Sequence, residues 1–172
     1  LYHQGRGVVL DTKLALKWYT LAARQGHDEA QNALGLMYET GNDVEQSTSK
    51  AVRWYKLAAE QGHPNAQYYI GLMYKVGLIN DAGLMDDAGP MTSEVLTNEP
   101  AFKNNANHQH EESHQREESE NTPKNNKAAL KWFLLAAEQG DVSCQRMLGS
   151  MYSLGEGLRA DGEQALMWYR KA

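Results

Sequence analysis

A period of 36 residues runs through the chain and decides what kind of fold is open to it. Ala15, Trp18, Tyr19, Ala22, Ala23, Gln25 and Gly26 return 36 positions later as Ala51, Trp54, Tyr55, Ala58, Ala59, Gln61 and Gly62. They return again as Ala129, Trp132, Phe133, Ala136, Ala137, Gln139 and Gly140, and start once more at Ala165, Trp168, Tyr169 and Ala172. A second block alternates with the first. Ala30, Gln31, Leu34, Gly35, Met37, Tyr38 and Gly41 become Ala66, Gln67, Ile70, Gly71, Met73, Tyr74 and Gly77, then Cys144, Gln145, Leu148, Gly149, Met151, Tyr152 and Gly155. Tyr2 and Gly5 stand one period before Tyr38 and Gly41, as the tail of an earlier copy. A unit this short cannot bury its own apolar side, so successive copies have to stack on each other.

Both blocks have helical spacing. Positions 15, 18, 19, 22 and 23 form one apolar stripe at i, i+3, i+4, i+7 and i+8, and 30, 34, 37, 38 and 41 nearly repeat it. Gly26, Gly62 and Gly140 follow the first stripe, where a left-handed residue closes a helix most easily as glycine. Pro64 sits where a first-turn proline is tolerated, and Asp161 followed by Gln164 has the spacing of a capping box. These signals predict one kind of helix over 28–40, 64–76 and 142–154, and the other over 11–25, 47–61, 125–139 and 161–172. Gly35, Gly71 and Gly149 fall inside helices, where glycine costs about 1 kcal/mol against alanine. Their recurrence points to close backbone approach, expected against the Ala pairs of the neighbouring helix, with Trp and Tyr or Phe filling the wider gaps as core.

These residues resemble the Sel-1-like repeat, a relative of the tetratricopeptide repeat. The match lies in the Ala-Gln-x-x-Leu-Gly-x-Met-Tyr-x-x-Gly block and the following Ala-x-x-Trp-Tyr-x-x-Ala-Ala-x-Gln-Gly block, over about three quarters of the chain. The Gly-x-Gly-Val loop of such repeats survives as Gly5, Gly7 and Val8, and as Gly155, Gly157 and Leu158. The resemblance implies an all-α fold, a right-handed α/α superhelix (solenoid) of helix-turn-helix repeats. It makes the Leu-Gly-x-Met-Tyr helix the first of each pair, helix A, lining a concave surface, and the Trp-Tyr helix the outer helix B. It also implies a protein-binding scaffold. Both ends cut a repeat in half, which predicts a longer array.

One loop breaks the period. From the glycine ending helix A to the alanine opening helix B the step is ten residues at 5→15, 41→51 and 155→165, but 52 at 77→129, so 42 extra residues enter there. The chain thus divides into repeats over 1–77, an insertion over 78–124 and continuing repeats over 125–172. The insertion holds ten acidic and three basic residues, a net of −7, against −5 for the whole chain. From Asn98 to Asn126 it is rich in Asn, Glu, His, Gln and Ser, a composition that buries too little apolar surface to offset the entropy of ordering. Leu84, Met85, Met91, Val95 and Leu96 are its candidates for docking on the solenoid.

Catalytic and metal chemistry is thin. His108, His110 and His114, with Glu111 and Glu112 between them, are weak candidates for a divalent metal, and their spacing matches no closed zinc site. Ser47-Thr48-Ser49-Lys50 has the Ser-x-x-Lys pattern of penicillin-recognising hydrolases without the companion Ser-Asp-Asn and Lys-Thr-Gly. Its hydroxyls also stand where Ser and Thr cap helices. Cys144 takes the Ala position of the repeat, as a small core residue would. A single cysteine excludes an internal disulfide framework and leaves the compartment open, periplasmic, secreted or cytoplasmic. No apolar run approaches the roughly 18 residues of a membrane span, and the acidic balance argues against a nucleic-acid partner.

The expected function is therefore a non-catalytic scaffold that needs no cofactor and binds another protein or peptide in its concave groove. A bacterial immunity or inhibitor protein that neutralises one toxin, with the insertion as its specificity arm, is the narrower alternative. A hydrolase is the remote one. If the chain follows the tetratricopeptide arrangement, partner contacts fall on helix A positions that the repeat leaves variable: Glu29, Asn32, Leu36, Glu39 and Thr40 in the first complete copy. The next copies offer Asn65, Tyr68, Leu72, Lys75 and Val76, then Ser143, Arg146, Ser150, Ser153 and Leu154. Tyr68 and Arg146 are the expected anchors, because interface energy concentrates in aromatic and Arg side chains.

Overall fold

The computed structural model describes residues 12–79 and 125–172. Within them the chain forms seven helices and no strand: α1 (Thr12–Arg24), α2 (Asp28–Thr40), α3 (Thr48–Glu60), α4 (Pro64–Val76), α5 (Asn126–Glu138), α6 (Val142–Leu154) and α7 (Gly162–Lys171). Helices α2, α4 and α6 are the A helices, at the bounds expected from sequence, and each B helix is about a residue shorter at either end. Each helix packs on the next, most extensively in the pairs α2–α3, α4–α5 and α6–α7. The α4–α5 pair forms as the others do although residues 77–125 intervene.

The turns explain the regularity. Gly26, Gly62 and Gly140 adopt φ of 91°, 98° and 92°, and the residue after each donates its backbone N–H back to Ala22, Ala58 or Ala136. That reversal sets helix A of the next pair directly on the end of helix B, and Ala23, Ala58, Ala59, Ala136 and Ala137 lie buried at this junction. Helix A ends in the same left-handed way at Gly41, Gly77 and Gly155. The following helix B is then pinned at its cap. Ser47, Asn125 and Asp161 each donate a backbone N–H to the carbonyl of Tyr38, Tyr74 or Tyr152, at 2.9, 3.1 and 2.9 Å. Their side chains accept from the first turn of helix B, which satisfies amides that would otherwise lack partners. Asp161 thus caps α7, while its own N–H goes to Tyr152 and not to Gln164 as a reciprocal box would have it.

The mid-helix glycines face aromatic rings, not the Ala pairs. A Cβ on Gly35 would lie 2.5 Å from the Tyr55 ring, one on Gly71 2.6 Å from Phe133, and one on Gly149 2.6 Å from Tyr169. The Tyr/Phe of helix B lies flat on the glycine of its own helix A, so glycine makes room for a ring and the alanines make room for a turn. Tyr55 and Phe133 are fully buried by this arrangement, together with Ile70, Leu148 and Met151. Trp54 is 4% exposed, whereas the helix A that would cover Trp18 on α1 lies outside the described residues. Trp54 packs into Ala30, Leu34 and Met37 of α2.

A ladder of glutamine side chains ties the pairs together. Gln31, Gln67 and Gln145 are buried and donate their amides to the carbonyls of Ala23, Ala59 and Ala137, at 3.1–3.2 Å. Gln61 then donates to Gln31 at 2.7 Å and Gln139 to Gln67 at 3.0 Å. The first link spans 30 residues of sequence and the second 72, and the difference is the 42-residue surplus of the long loop.

Candidate functional site

The variable helix A positions recur on α2, α4 and α6. Their spacing of three or four residues keeps them on one side of each helix, with Glu39 and Tyr68 at the edge that reaches the paired aromatics Tyr55 and Phe133. On α2, Glu29, Leu36 and Thr40 are exposed, while Asn32 and Glu39 are half-buried. On α4, Asn65 and Val76 are exposed, and Tyr68, Leu72 and Lys75 are half-buried. On α6, Ser143, Arg146, Ser153 and Leu154 are exposed and Ser150 is half-buried. The face presents aliphatic groups to solvent: Leu36 is 43% exposed, Val76 57% and Leu154 67%.

Several polar members of this set are already engaged within the chain. Glu29 Oε2 lies 2.8 Å from His63 Nε2. His63 Nδ1 accepts the Ala66 N–H at the cap of α4, which leaves Nε2 to donate to Glu29. The Tyr55 hydroxyl donates to Glu39 Oε2 at 2.6 Å, and Lys75 Nζ pairs with Glu156 Oε2 at 2.7 Å. Asn32 Oδ1 is enclosed without a partner.

Tyr68 stands edge-on to Tyr69, with ring centroids 5.6 Å apart, and tilted against Phe133 at 6.1 Å. Tyr69 stacks on Tyr55 at 4.6 Å. Tyr69 is half-buried on the same helix and was missed in the sequence, although its departure from Ala33 and Met147 at the equivalent positions is a readable signal. Burial pushes the Tyr55, Tyr68 and Tyr69 hydroxyls above the ordinary tyrosine range, and for Tyr55 the hydrogen bond to Glu39 adds to it. All three are neutral donors around neutral pH.

The residues considered for chemistry take structural places. Ser47 Oγ accepts the Lys50 backbone N–H at 3.4 Å as the cap of α3, and Lys50 Nζ sits 5.1 Å from the centre of the Tyr38 ring. Cys144 is fully buried, and desolvation, aided by Asp141, raises its thiol pKa. His108, His110 and His114 lie outside the described residues, as do Leu84, Met85, Met91, Val95 and Leu96. Among the described residues no group of three or more His, Cys, Asp or Glu gathers at metal-binding distance, and no helix is long and apolar enough to cross a membrane.

The Sel1 repeat family profile matches residues 1–27, 28–63, 64–83, 116–141 and 142–172. The chain belongs to the Sel1 repeat family. Among solved structures it is similar to a protective antigen of uropathogenic Escherichia coli strains that displays the Sel1-like repeat fold, with 32% identity and a TM-score of 0.68. It is also similar to a Sel1 repeat protein from Oxalobacter formigenes, with 29% identity and a TM-score of 0.68. In both comparisons 99% of this chain is covered, but it spans only 27% and 37% of those chains. No curated protein matches it in sequence. Sel1 repeats generally mediate protein–protein interactions, and their fold is typically non-catalytic.

Proposed function

We propose that this Sel1 repeat chain is a non-catalytic scaffold that holds a protein or peptide partner in its concave groove, along the variable positions of α2, α4 and α6. The observation that carries the reading is the run of solvent-facing aliphatic groups Leu36, Val76 and Leu154 on three successive A helices, beside the half-buried Tyr68 and Leu72. Covering such groups removes apolar surface from water at about 25 cal/mol per Å². Tyr68 and Arg146 flank them, with the side-chain types in which binding energy concentrates. The test is capture of partners from the source organism by the chain and by its Tyr68→Ala/Arg146→Ala variant, after circular dichroism has shown that the variant is folded. The partner is lost from the variant if the face is the site. Undiminished capture by a folded variant contradicts the reading.

A further inference from the structure

Resting on that reading, the chemistry of the partner follows from how charge is distributed across the same face. Its variable positions carry four charged side chains: Glu29, Glu39, Lys75 and Arg146. The two carboxylates both lie on α2, where Glu39 accepts from the Tyr55 hydroxyl and Glu29 accepts from Nε2 of His63, whose Nδ1 accepts the Ala66 N–H; neither contact brings a Lys or Arg to them. On α4 the only charge, Lys75, is neutralised by Glu156 at 2.7 Å, which leaves Tyr68, Leu72 and Val76 as an aromatic and aliphatic middle. On α6 the charge is Arg146, exposed and without a partner among the described residues. The face therefore runs from acidic through apolar to basic over three successive helix pairs.

We propose that the partner docks through a charge-segregated segment with fixed polarity. Its basic side chains lie over Glu29 and Glu39, its apolar side chains over Tyr68, Leu72, Val76 and Leu154, and a carboxylate meets Arg146. A guanidinium offers two parallel donors to a carboxylate, so the Arg146 end carries the geometric selectivity, and the acidic end rejects the reversed orientation by like-charge repulsion.

A random dodecapeptide display library selected against the full chain, and separately against Arg146→Glu, tests this. Wild-type selection is expected to enrich peptides with basic residues on one side of an apolar centre and acidic residues on the other, always in the same order. Arg146→Glu is expected to weaken those peptides about tenfold or more and to replace the acidic end by a basic or neutral one in its own selection. Selected peptides are then measured against Tyr68→Ala and Leu154→Ser, the second a change at an exposed position that keeps the test valid if the first unfolds. Peptides that lose affinity for these variants but show no charge order overturn the charge proposal alone. Peptides indifferent to both, or a selection that yields none, overturn the binding face and the charge proposal with it.

Discussion

A methyl group added at Gly35 or Gly71 meets the ring of Tyr55 or Phe133 at 2.5–2.6 Å, closer than carbon atoms approach. Neither ring can retreat. Tyr55 is fully buried, stacked on Tyr69 and bonded to Glu39, and Phe133 is fully buried. Gly35→Ala and Gly71→Ala should each destabilise by about 1–3 kcal/mol, the cost of overpacking, even though alanine is the better helix former. The same clash at Gly149 involves Tyr169, which is 48% exposed. Gly149→Ala should be near neutral, because the gain in helix propensity of about 1 kcal/mol offsets the displacement. Urea denaturation of the three variants checks this, and equal losses at all three would refute the ring-on-glycine account. A second residue-scale expectation concerns alkaline pH. Burial raises the folded pKa of Tyr55 and of Cys144 above unfolded values of about 10 and about 8.5. Their contribution is complete below those unfolded values. It is lost as pH rises, because the unfolded chain gives up the protons first and then binds fewer than the folded one. The urea midpoint should fall from about pH 9 upward, and less steeply in Tyr55→Phe and Cys144→Ala than in the wild type.

At the scale of helices, the glutamine ladder holds neighbouring elements in register where apolar packing alone allows sliding. Gln67 is its most committed member: buried, donating to Ala59 and accepting from Gln139 across the long loop. Gln67→Ala should cost about 1–3 kcal/mol, as expected for removing buried hydrogen bonds. Gln139→Ala should cost less, because Gln139 is exposed and water replaces it. A melting series that ranks them the other way would show that the ladder follows the packing and does not fix it. Periodicity and the turn glycines made the helices legible, since 3.6-residue spacing and left-handed caps are local. What the glycines face was not legible, because it depends on which sides of two helices meet. The ties Glu29–His63, Tyr55–Glu39 and Lys75–Glu156 were equally hidden, since each joins a variable helix A position to a residue on another element of the chain. Hence the helix A positions could be named from the register, while their state, engaged at Glu29, Glu39 and Lys75 and open at Arg146, needed coordinates.

For the whole molecule, the question is whether the repeats depend on the segment that interrupts them. Its two ends are fixed like those of an ordinary loop. Leu78 donates its N–H to Met73 at 2.8 Å after the left-handed Gly77, and Asn125 donates to Tyr74 at 3.1 Å, where Ser47 and Asp161 make the same bond in the short loops. Gly157 of the next repeat presses against Asn126, which holds the exit point from the far side. Ile79 is the one described residue beyond Leu78 on the entry side, and it is buried in the main core. A deletion that respects these anchors removes residues 80–121, which keeps Ile79 and restores the ten-residue step from Gly77 to Ala129. Loop closure changes by only about 0.6 kcal/mol per doubling of length, so the shortened chain should be as stable as the wild type or more so by about 1 kcal/mol. Far-UV circular dichroism and a thermal melt check the fold, and capture of the partner checks the role. Retained binding in a folded deletion makes the insertion a passive loop, and lost binding at an equal or higher melting temperature makes it a specificity arm. An unfolded deletion would contradict both, because the caps, the glutamine ladder and the α4–α5 packing would then fail to hold the pair together without residues 80–121.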